Sequence, residues 1–379
     1  MVQPIGPRRD LDPKQDPANP IAETSSRAVL YEEADGTKHE VDLPLTSKAR
    51  IQAMADELGL PKYIDLEYLP MQSAVVTIWA SVKAPELHSL YPEAFEKRIS
   101  AKAIPALLFG GAAVKFHCQH ANAKGTLARE INDTDFIVPN AFGSKFLRIL
   151  LNLDKAFGTR FKFFKTQGDT VFNAMRQGRR YRVRMINSVT ETGFPTVSRV
   201  DVFCDSIDLR HKVEVQEFGN YVENQYTIGL ESLILSKCQF IMDAPKDDLP
   251  SLKEAGQEFR ILPYEHYSDD KLVIGMEERD VRDVCAIFLD HPIGQGWEKI
   301  DPRKILRSMR GFSGVDKKLN LTVSLNLGNV AEKPEVLERW LSRSEIAAAT
   351  DRVKELLRHL PRADEKWNKP WWNTAVETP

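Results

Sequence analysis

The sequence predicts an α+β fold, in which a small mixed sheet with flanking helices is joined to a mainly helical C-terminal region. Residues 132–139, NDTDFIVP, read as a strand that ends at a proline. Residues 179–188 and 197–207 are two more β-type runs, separated by a Gly-Pro turn at 193–195, and we expect them to pair as an antiparallel hairpin. Helical patterns dominate the end of the chain.

The remaining elements follow from turn residues and apolar spacing. Asp35-Gly36 lies between two alternating runs and predicts a hairpin. Thr46 or Ser47 is a suitable N-cap for the first helix. The spacing predicts helices over 46–60, 84–103, 141–157, 229–244, from Glu277 onward, and over 301–310, 334–342 and 344–359.

These elements suggest four consecutive regions. Residues 1–25 are rich in proline and charge and are expected to form a disordered tail. Residues 26–100 hold the N-terminal hairpin and helices, 101–215 the sheet, and 216–379 the helical C-terminal region. The tryptophan-rich end, WNKPWW, is too aromatic to remain exposed to solvent. We expect it to dock on the rest of the chain or on a partner chain.

Composition narrows the class of protein. The net charge is −2 and the pI about 6.5, which argues against coating nucleic acid through bulk charge but leaves room for a local basic groove. No segment approaches the roughly 18 apolar residues of a membrane span, and the start lacks an apolar signal core, so we expect a cytoplasmic protein without a membrane partner. The 4 cysteines are widely spaced and predict free, buried thiols.

Asp133-Thr134-Asp135 is the first candidate for a functional site. In a strand, residues two apart project from the same face, so both carboxylates would lie side by side. Two carboxylates at such a short distance raise each other's pKa, and a divalent cation between them relieves the repulsion. Oxygen-only ligands favour Mg²⁺ or Mn²⁺ over zinc. The alternative for the motif alone is a solvated strand end.

Asp201 provides the context for this pair. It lies within Arg199-Val200-Asp201-Val202-Phe203, and a buried carboxylate needs a partner. One interpretation is a third metal ligand, with Asp205 as the second choice. The other is an ion pair with Arg199 or with an arginine of 179–184. That basic stretch, RQGRRYRVR at 176–184, suits contact with phosphate or nucleic acid, or a plain solvated strand face.

Gly110-Gly111 separates an apolar run from a helical stretch. Such a pair lets backbone amides approach a phosphate at a helix N-terminus, although glycine pairs also occur in ordinary turns. The order of Gly-Gly, Asp-x-Asp and a later lone aspartate resembles the nucleotidyltransferase superfamily, with its polymerase-β-like fold. The chain is most similar to the AbiEii-type branch of toxins and abortive-infection proteins, in which an arginine precedes the first aspartate by four residues, as Arg129 does here.

Two later segments extend the resemblance. Tyr226–Lys237 is similar to that branch's helix with a nucleotide-contacting lysine, and the segment from Arg279 to Val284 to its Arg-Asp-x-x-Asp helix. The similarity covers about 103–290. Thr134 departs from the family, which has an aliphatic residue there, and the loop between Gly111 and Asp133 is longer than in minimal members.

The resemblance implies a metal-dependent nucleotidyltransferase that moves a nucleotide from an NTP to RNA, a protein or a small hydroxylated molecule. It implies that Asp133, Asp135 and Asp201 are catalytic and bind Mg²⁺ or Mn²⁺, with Asp201 also helping to deprotonate the acceptor hydroxyl. The resemblance also implies a set of nucleotide-binding residues, which are Gly110, Gly111, Arg129, Lys237, Asp280 and Asp283.

Several of these roles have alternatives. Lys237 could be a solvated lysine of a helix face, and Asp280 and Asp283 could orient Lys237 or Arg129, or complement the helix dipole. Arg129 could contact phosphate or pair with Asp133. The partner could be an antitoxin or a second copy of the chain. The competing function is a catalytically inactive nucleotidyltransferase-fold scaffold that binds nucleotide or a partner.

Overall fold

The structure is a computed structural model, and it describes residues 26–32, 38–44, 48–86, 103–122, 125–153, 162–176, 178–189, 195–215, 217–218, 225–296, 298–311 and 314–374. These residues form two compact units. The first unit takes its described residues from Met1–Leu108, Glu130–Asp205 and Tyr221–Thr227. The second takes them from Phe109–Arg129, Ser206–Asn220 and Ile228–Pro379. Each unit is therefore discontinuous in sequence, unlike the consecutive regions that the sequence suggests.

A mixed five-stranded sheet is the centre of the first unit. Its order is β3 (Leu107–Phe109), β4 (Asp133–Val138), β7 (Pro195–Cys204), β6 (Arg180–Val189) and β5 (Lys162–Phe164). Strand β4 is parallel to β7, whereas β7 and β6, and β6 and β5, are antiparallel. The α+β class, the strand at 132–139 and the hairpin of 179–207 are thereby confirmed.

Two helices of the first unit cover one face of this sheet. The first unit contains α1 (Lys48–Glu57), α2 (Leu69–Val82), α4 (Asn140–Leu151) and α5 (Gln167–Met175), while β1 (Ser26–Glu32) and β2 (Lys38–Pro44) form the hairpin predicted around Asp35-Gly36. Helix α2 contacts β4 and β7, and α4 contacts β6 and β7. Thr134 and Phe136 of β4 face these helices, since Thr134 bonds α2 and Phe136 packs on Phe146 of α4. By alternation, Asp133 and Asp135 face the other side.

The second unit is mainly helical. Its longer helices are α3 (Gly110–His117), α6 (Leu230–Cys238), α8 (Glu278–Asp290), α10 (Lys317–Glu332) and α11 (Arg343–His359). Helix α8 contacts α3, α6 and α11, and α10 contacts α6 and α11. Shorter elements are β8 (Ser206–Asp208), β9 (Lys212–Glu214), β10 (Met242–Pro245), α7 (Leu249–Glu254), β11 (Lys271–Ile274), α9 (Pro302–Ser308), β12 (Arg310–Gly311) and β13 (Gly314–Val315).

The tryptophan-rich end docks on the second unit, which confirms that expectation. Trp371 and Trp372 are 2% and 7% exposed and join a cluster with Tyr267 and Leu321. The indole N–H of Trp371 donates to the hydroxyl of Thr322 on α10 at 2.9 Å. An indole can be buried in this way because its single polar group has an acceptor.

The helix predicted over 229–244 is wrong in its second half. It ends at Cys238, and Met242–Pro245 instead pairs with β11. The buried side-chain amide of Asn326 donates to the carbonyls of Cys238 and Phe240, both at 2.9 Å. These bonds satisfy backbone groups at the helix end, so tertiary contacts override the local helical pattern.

Other expectations differ in detail. Residues Pro334–Arg339 form a 3₁₀-helix rather than an α-helix. Most of the helix expected over 84–103, the N-cap at Thr46 or Ser47, and the hairpin turns at 35–36 and 193–194 lie outside the described residues. The cysteines are free and buried, as predicted. Within the described segments, no helix has the length and apolarity needed to cross a membrane.

Candidate functional site

The parallel ladder between β4 and β7 brings the predicted acidic residues together. Asp135 is the register partner of Asp201, and Asp133 is the partner of Arg199. Register partners in neighbouring strands project from the same sheet face. The three aspartates therefore share one face, which a common site requires.

Arginines from β6 share this face with the acids. Across the antiparallel ladder of β6 and β7, Arg182 is the partner of Asp201 and Arg184 of Arg199. Arg180, Arg182 and Arg184 are two residues apart, so all three project to the same side. The sheet face thus alternates carboxylates and guanidinium groups.

Asp201 is fully buried and ion-paired with arginine. Its Oδ1 accepts from Nε of Arg182 at 2.8 Å, and its Oδ2 accepts from Arg180 at 2.6 Å and from Arg182 at 3.2 Å. Nε of Arg199 lies 3.6 Å from Oδ2. Although burial acts to raise the pKa of Asp201, these arginines hold it below its usual value. Asp201 therefore forms an ion pair with arginines of 179–184, which is one of the two interpretations of the sequence.

Asp135 has the opposite environment. Within the described part of the chain, its carboxylate accepts no hydrogen bond and forms no ion pair within 4 Å. Burial, followed by the charges of Asp133 and Asp201, raises the pKa of Asp135 to about 7 against the opposing effect of Arg180 and Arg199. Asp133 itself pairs with Arg199. Of the three carboxylates, Asp135 is thus the one that no arginine pairs with among the described residues.

Thr134 has a structural role that explains its place between the aspartates. It is fully buried on the helix-covered face, and its hydroxyl donates to the carbonyl of Pro70 at 3.0 Å and lies 3.3 Å from the hydroxyl of Ser73. An aliphatic residue would leave the Pro70 carbonyl without this donor.

Asp205, the second choice for a metal ligand, accepts instead from the backbone N–H of Asn140 at 2.8 Å, where α4 begins.

Helix α5 holds the arginines in place through contacts that the sequence alone does not predict. The ring of Phe172 lies 4.0 Å from the guanidinium of Arg182, and Asp169 accepts from Nε of Arg184 at 2.9 Å. The side-chain amide of Asn173 pairs with the backbone N–H and carbonyl of Arg182 at 2.6 and 3.1 Å. The spacing of Arg180, Arg182 and Arg184 on one strand face was the signal available in the sequence.

The nucleotide-contacting residues implied by the resemblance form a second cluster. Lys237 of α6 lies 3.1 Å from Asp280 and 2.8 Å from Asp283, both on α8. Arg129 donates to both oxygens of Asp283 at 2.8 and 2.6 Å. Asp280 and Asp283 thus orient Lys237 and Arg129, and Lys237, 11% exposed, is not a solvated lysine.

Electrostatics in this second cluster favour the charged forms. Burial opposes ionisation of Asp283, but Lys237 and Arg129 outweigh it and lower the pKa of Asp283 to about 2.

The cluster lies in the second unit together with Gly110 and Gly111, whereas Asp133, Asp135 and Asp201 lie in the first. Helix α3 begins at Gly110, whose φ of 71° is a left-handed conformation that glycine adopts without strain.

The acidic face fits a divalent cation in chemistry but not in its present pairing. Asp135 pairs with no arginine among the described residues, and the ligand atoms are all oxygens, which suits Mg²⁺ or Mn²⁺. However, both oxygens of Asp201 are already bonded to arginine. In the described residues, no group of three or more His, Cys, Asp or Glu side chains is arranged to hold a metal ion.

Comparison with known proteins does not add to this picture. No protein-family model, no curated protein and no solved structure matches the chain.

Proposed function

We propose that the protein is a metal-dependent nucleotidyltransferase that transfers a nucleotide from an NTP to an acceptor hydroxyl. The observation that carries the proposal is the register of β4 and β7, which pairs Asp135 with Asp201 and keeps Asp133 on the same face. Three carboxylates from two adjacent strands are an arrangement suited to two-metal chemistry. A face that served only structure would have no need of an unpaired acid such as Asp135.

The residues divide into distinct roles under this proposal. Asp133 and Asp135 hold Mg²⁺ or Mn²⁺, and Asp201 completes the site. The cations supply charge stabilisation at the attacking and leaving oxygens of an in-line displacement. Because arginines lower the pKa of Asp201, it is a weak proton acceptor, so its part is to bind metal rather than to deprotonate the acceptor.

The acceptor remains one of three classes, namely RNA, a protein or a small hydroxylated molecule. The second candidate function is an inactive scaffold with the same fold. The observation that favours it is the pairing of Asp201 with Arg180 and Arg182, which neutralises this acid without any metal.

Labelled NTPs distinguish the two functions. The protein is incubated with Mg²⁺, a cell extract and each NTP labelled with ³²P at the α-phosphate, and in parallel at the γ-phosphate. The proposal expects α-label, but no γ-label, in an acceptor. Asp133→Asn combined with Asp135→Asn should abolish labelling, whereas the exposed Asp56→Asn of α1 should not. Equal labelling by the double variant would refute the proposal.

A further inference from the structure

The C-terminal segment, residues 361–373, is anchored on the second unit mainly near its end. It contains no helix or strand, and most of its side chains are exposed. Trp371 and Trp372 are the exceptions, since both are buried in an aromatic cluster. The backbone N–H of Asn373 donates to the carbonyl of Arg210 at 2.8 Å. Because no ladder of backbone bonds holds the segment, its docking depends on these contacts.

The hydroxyl of Thr322 on α10 connects this segment to a titratable group. It accepts from the indole N–H of Trp371 at 2.9 Å and lies 2.9 Å from Nε2 of His211. An indole N–H can only donate, whereas a hydroxyl has one hydrogen to donate. The hydroxyl therefore donates to His211, so Nε2 of His211 carries no hydrogen and the ring is neutral while Trp371 is docked.

Protonation of His211 disrupts this arrangement. An imidazolium donates from both nitrogens, so Thr322 would face two donors, and its hydrogen would lose the one acceptor that it has among the described residues. Water does not readily replace this acceptor, since Trp371, Thr322 and His211 are 2%, 0% and 7% exposed. A buried hydroxyl without an acceptor and a buried charge both cost free energy. The bond from Trp371 and the proton on His211 are therefore mutually unfavourable.

The electrostatics of His211 agree with a neutral ring in the docked state. Burial lowers the pKa of His211 from 6.5 to about 4. Asp316 acts to raise this pKa and Lys318 to lower it, both from the start of α10. Arg210, next in the sequence, directs its guanidinium to the carbonyl of Asn373 at 3.1 Å. Because Asp316 and Lys318 oppose each other, burial determines the direction of the shift.

The docked segment also contains two polar groups that lack partners. Oε2 of Glu365 and the indole N–H of Trp367 are buried and make no hydrogen bond among the described residues. Each such atom costs free energy in the docked state and gains a water partner on release. These costs weaken docking, so the loss of one further bond shifts the equilibrium towards release.

We infer that the C-terminal segment is a strap that is released from the second unit when His211 is protonated. Docking of Trp371 and protonation of His211 oppose each other at Thr322, and by linkage each weakens the other by the same factor. Release uncovers the rings of Tyr264 and Tyr267, which Trp371 contacts in the docked state. The inference concerns the second unit alone and does not depend on the proposed transferase activity.

The test follows the indole N–H of Trp371 by NMR in full-length protein labelled with ¹⁵N-tryptophan, from pH 7.5 to 4. The Trp371→Phe variant assigns the resonance. As His211 titrates, this resonance should shift, and its heteronuclear NOE should fall as the ring becomes mobile. The indole of Trp340, whose ring lies 5.3 Å from the guanidinium of Arg282 in the same unit, should keep its NOE. A Trp371 ring that stays rigid while His211 titrates, or a Trp340 ring that becomes mobile at the same pH, would overturn the inference.

Two variants test the linkage in both directions. Trp371→Phe removes the indole N–H but keeps an aromatic ring, and it should raise the midpoint of the His211 titration by about one pH unit, the effect of losing one hydrogen bond. Trp372→Phe is the matched control and should leave the midpoint in place, since Thr322 keeps its bond from Trp371. His211→Gln cannot titrate and should keep Trp371 rigid down to pH 4. An unchanged midpoint in Trp371→Phe, or release at the same pH in His211→Gln, would show that the strap and the proton are not coupled.

Discussion

Asp135 and Asp201 are direct partners across a parallel ladder, yet they differ in ionisation. The pKa of Asp135 is raised to about 7, whereas that of Asp201 is lowered. Burial acts to raise the pKa of both acids. At Asp135 the charges of Asp133 and Asp201 add to this effect, whereas at Asp201 the neighbouring arginines outweigh it. Asp201 is therefore held ionised by its arginines, whereas Asp135 takes up a proton near neutral pH.

Asp135→Asn should stabilise the metal-free protein at pH 8. The folded pKa of Asp135 lies above its ordinary value of 3.8, so the folded state loses stability as pH rises through about 7. One pKa unit corresponds to about 1.36 kcal/mol, and with allowance for solvent screening we expect a gain on the order of 2 kcal/mol. Urea denaturation in EDTA measures it.

The control for this prediction is pH itself. Near pH 3 the carboxyl group is neutral in the folded state and largely so in the unfolded state, so the variant and the unmodified protein should have nearly equal stability. Saturating Mn²⁺ at pH 8 should reverse the order, because only the unmodified protein keeps its ligand set. A gain that does not change with pH would contradict the assigned ionisation.

Asp201→Ala should destabilise the first unit strongly. Removing one partner of a buried ion pair costs about 3–5 kcal/mol, because the remaining charges stay buried without compensation. Asp201→Asn keeps acceptor capacity toward Arg180 and Arg182 and should cost less. Chemical denaturation compares the two, and equal losses would show that the carboxylate charge, rather than its hydrogen bonds, holds the arginines.

The sequence predicts the acids and restricts the counter-ion of Asp201 to Arg199 or an arginine of 179–184, but it does not choose among these arginines. Asp133 and Asp135 follow from strand alternation, and Asp201 from a carboxylate inside an apolar run. The register of β6 against β7 determines that Arg180 and Arg182, rather than other arginines, pair with Asp201. The sequence alone does not determine this register. The contacts of Asn173 and Phe172 of α5 cannot be predicted from the sequence, because their partners are determined by tertiary packing.

The fold was predictable where local signals agree with packing. The strand at Asp133–Val138 and helix α8 carry clear periodicity and were placed correctly. Helix α2 was missed because it is buried along most of its length, so its apolar residues show no single stripe. The end of α6 was misplaced because Asn326, far along the chain, satisfies its terminal carbonyls.

Lys237→Met should destabilise the second unit by about 3–5 kcal/mol, since it leaves Asp280 and Asp283 with less positive charge around them. A double-mutant cycle with Asp283→Asn isolates the direct interaction. We expect the double variant to be less destabilised than the sum of the single variants by at least about 1 kcal/mol. Additive losses would show that Lys237 and Asp283 are energetically independent.

His211 should make the second unit sensitive to acid. It is buried, its Nε2 lies 2.9 Å from the hydroxyl of Thr322, and burial lowers its pKa from 6.5 to about 4. A histidine with a depressed folded pKa contributes stability above its unfolded pKa, and that stability is lost as pH falls from 6.5 toward 4. His211→Gln keeps a polar group near Thr322 but cannot titrate, so its stability should fall less between pH 7.5 and 4.5.

The expected difference between the two proteins is at most about 3 kcal/mol, since each pKa unit contributes about 1.36 kcal/mol. Urea denaturation at pH 7.5, 6 and 4.5 measures it, and NMR titration of the His211 ring reports the folded pKa directly. His359→Gln, at the C-terminal end of α11 and exposed, is the matched control and should follow the unmodified protein at each pH. Parallel pH profiles for His211→Gln and the unmodified protein would mean that His211 is protonated without cost in the folded state.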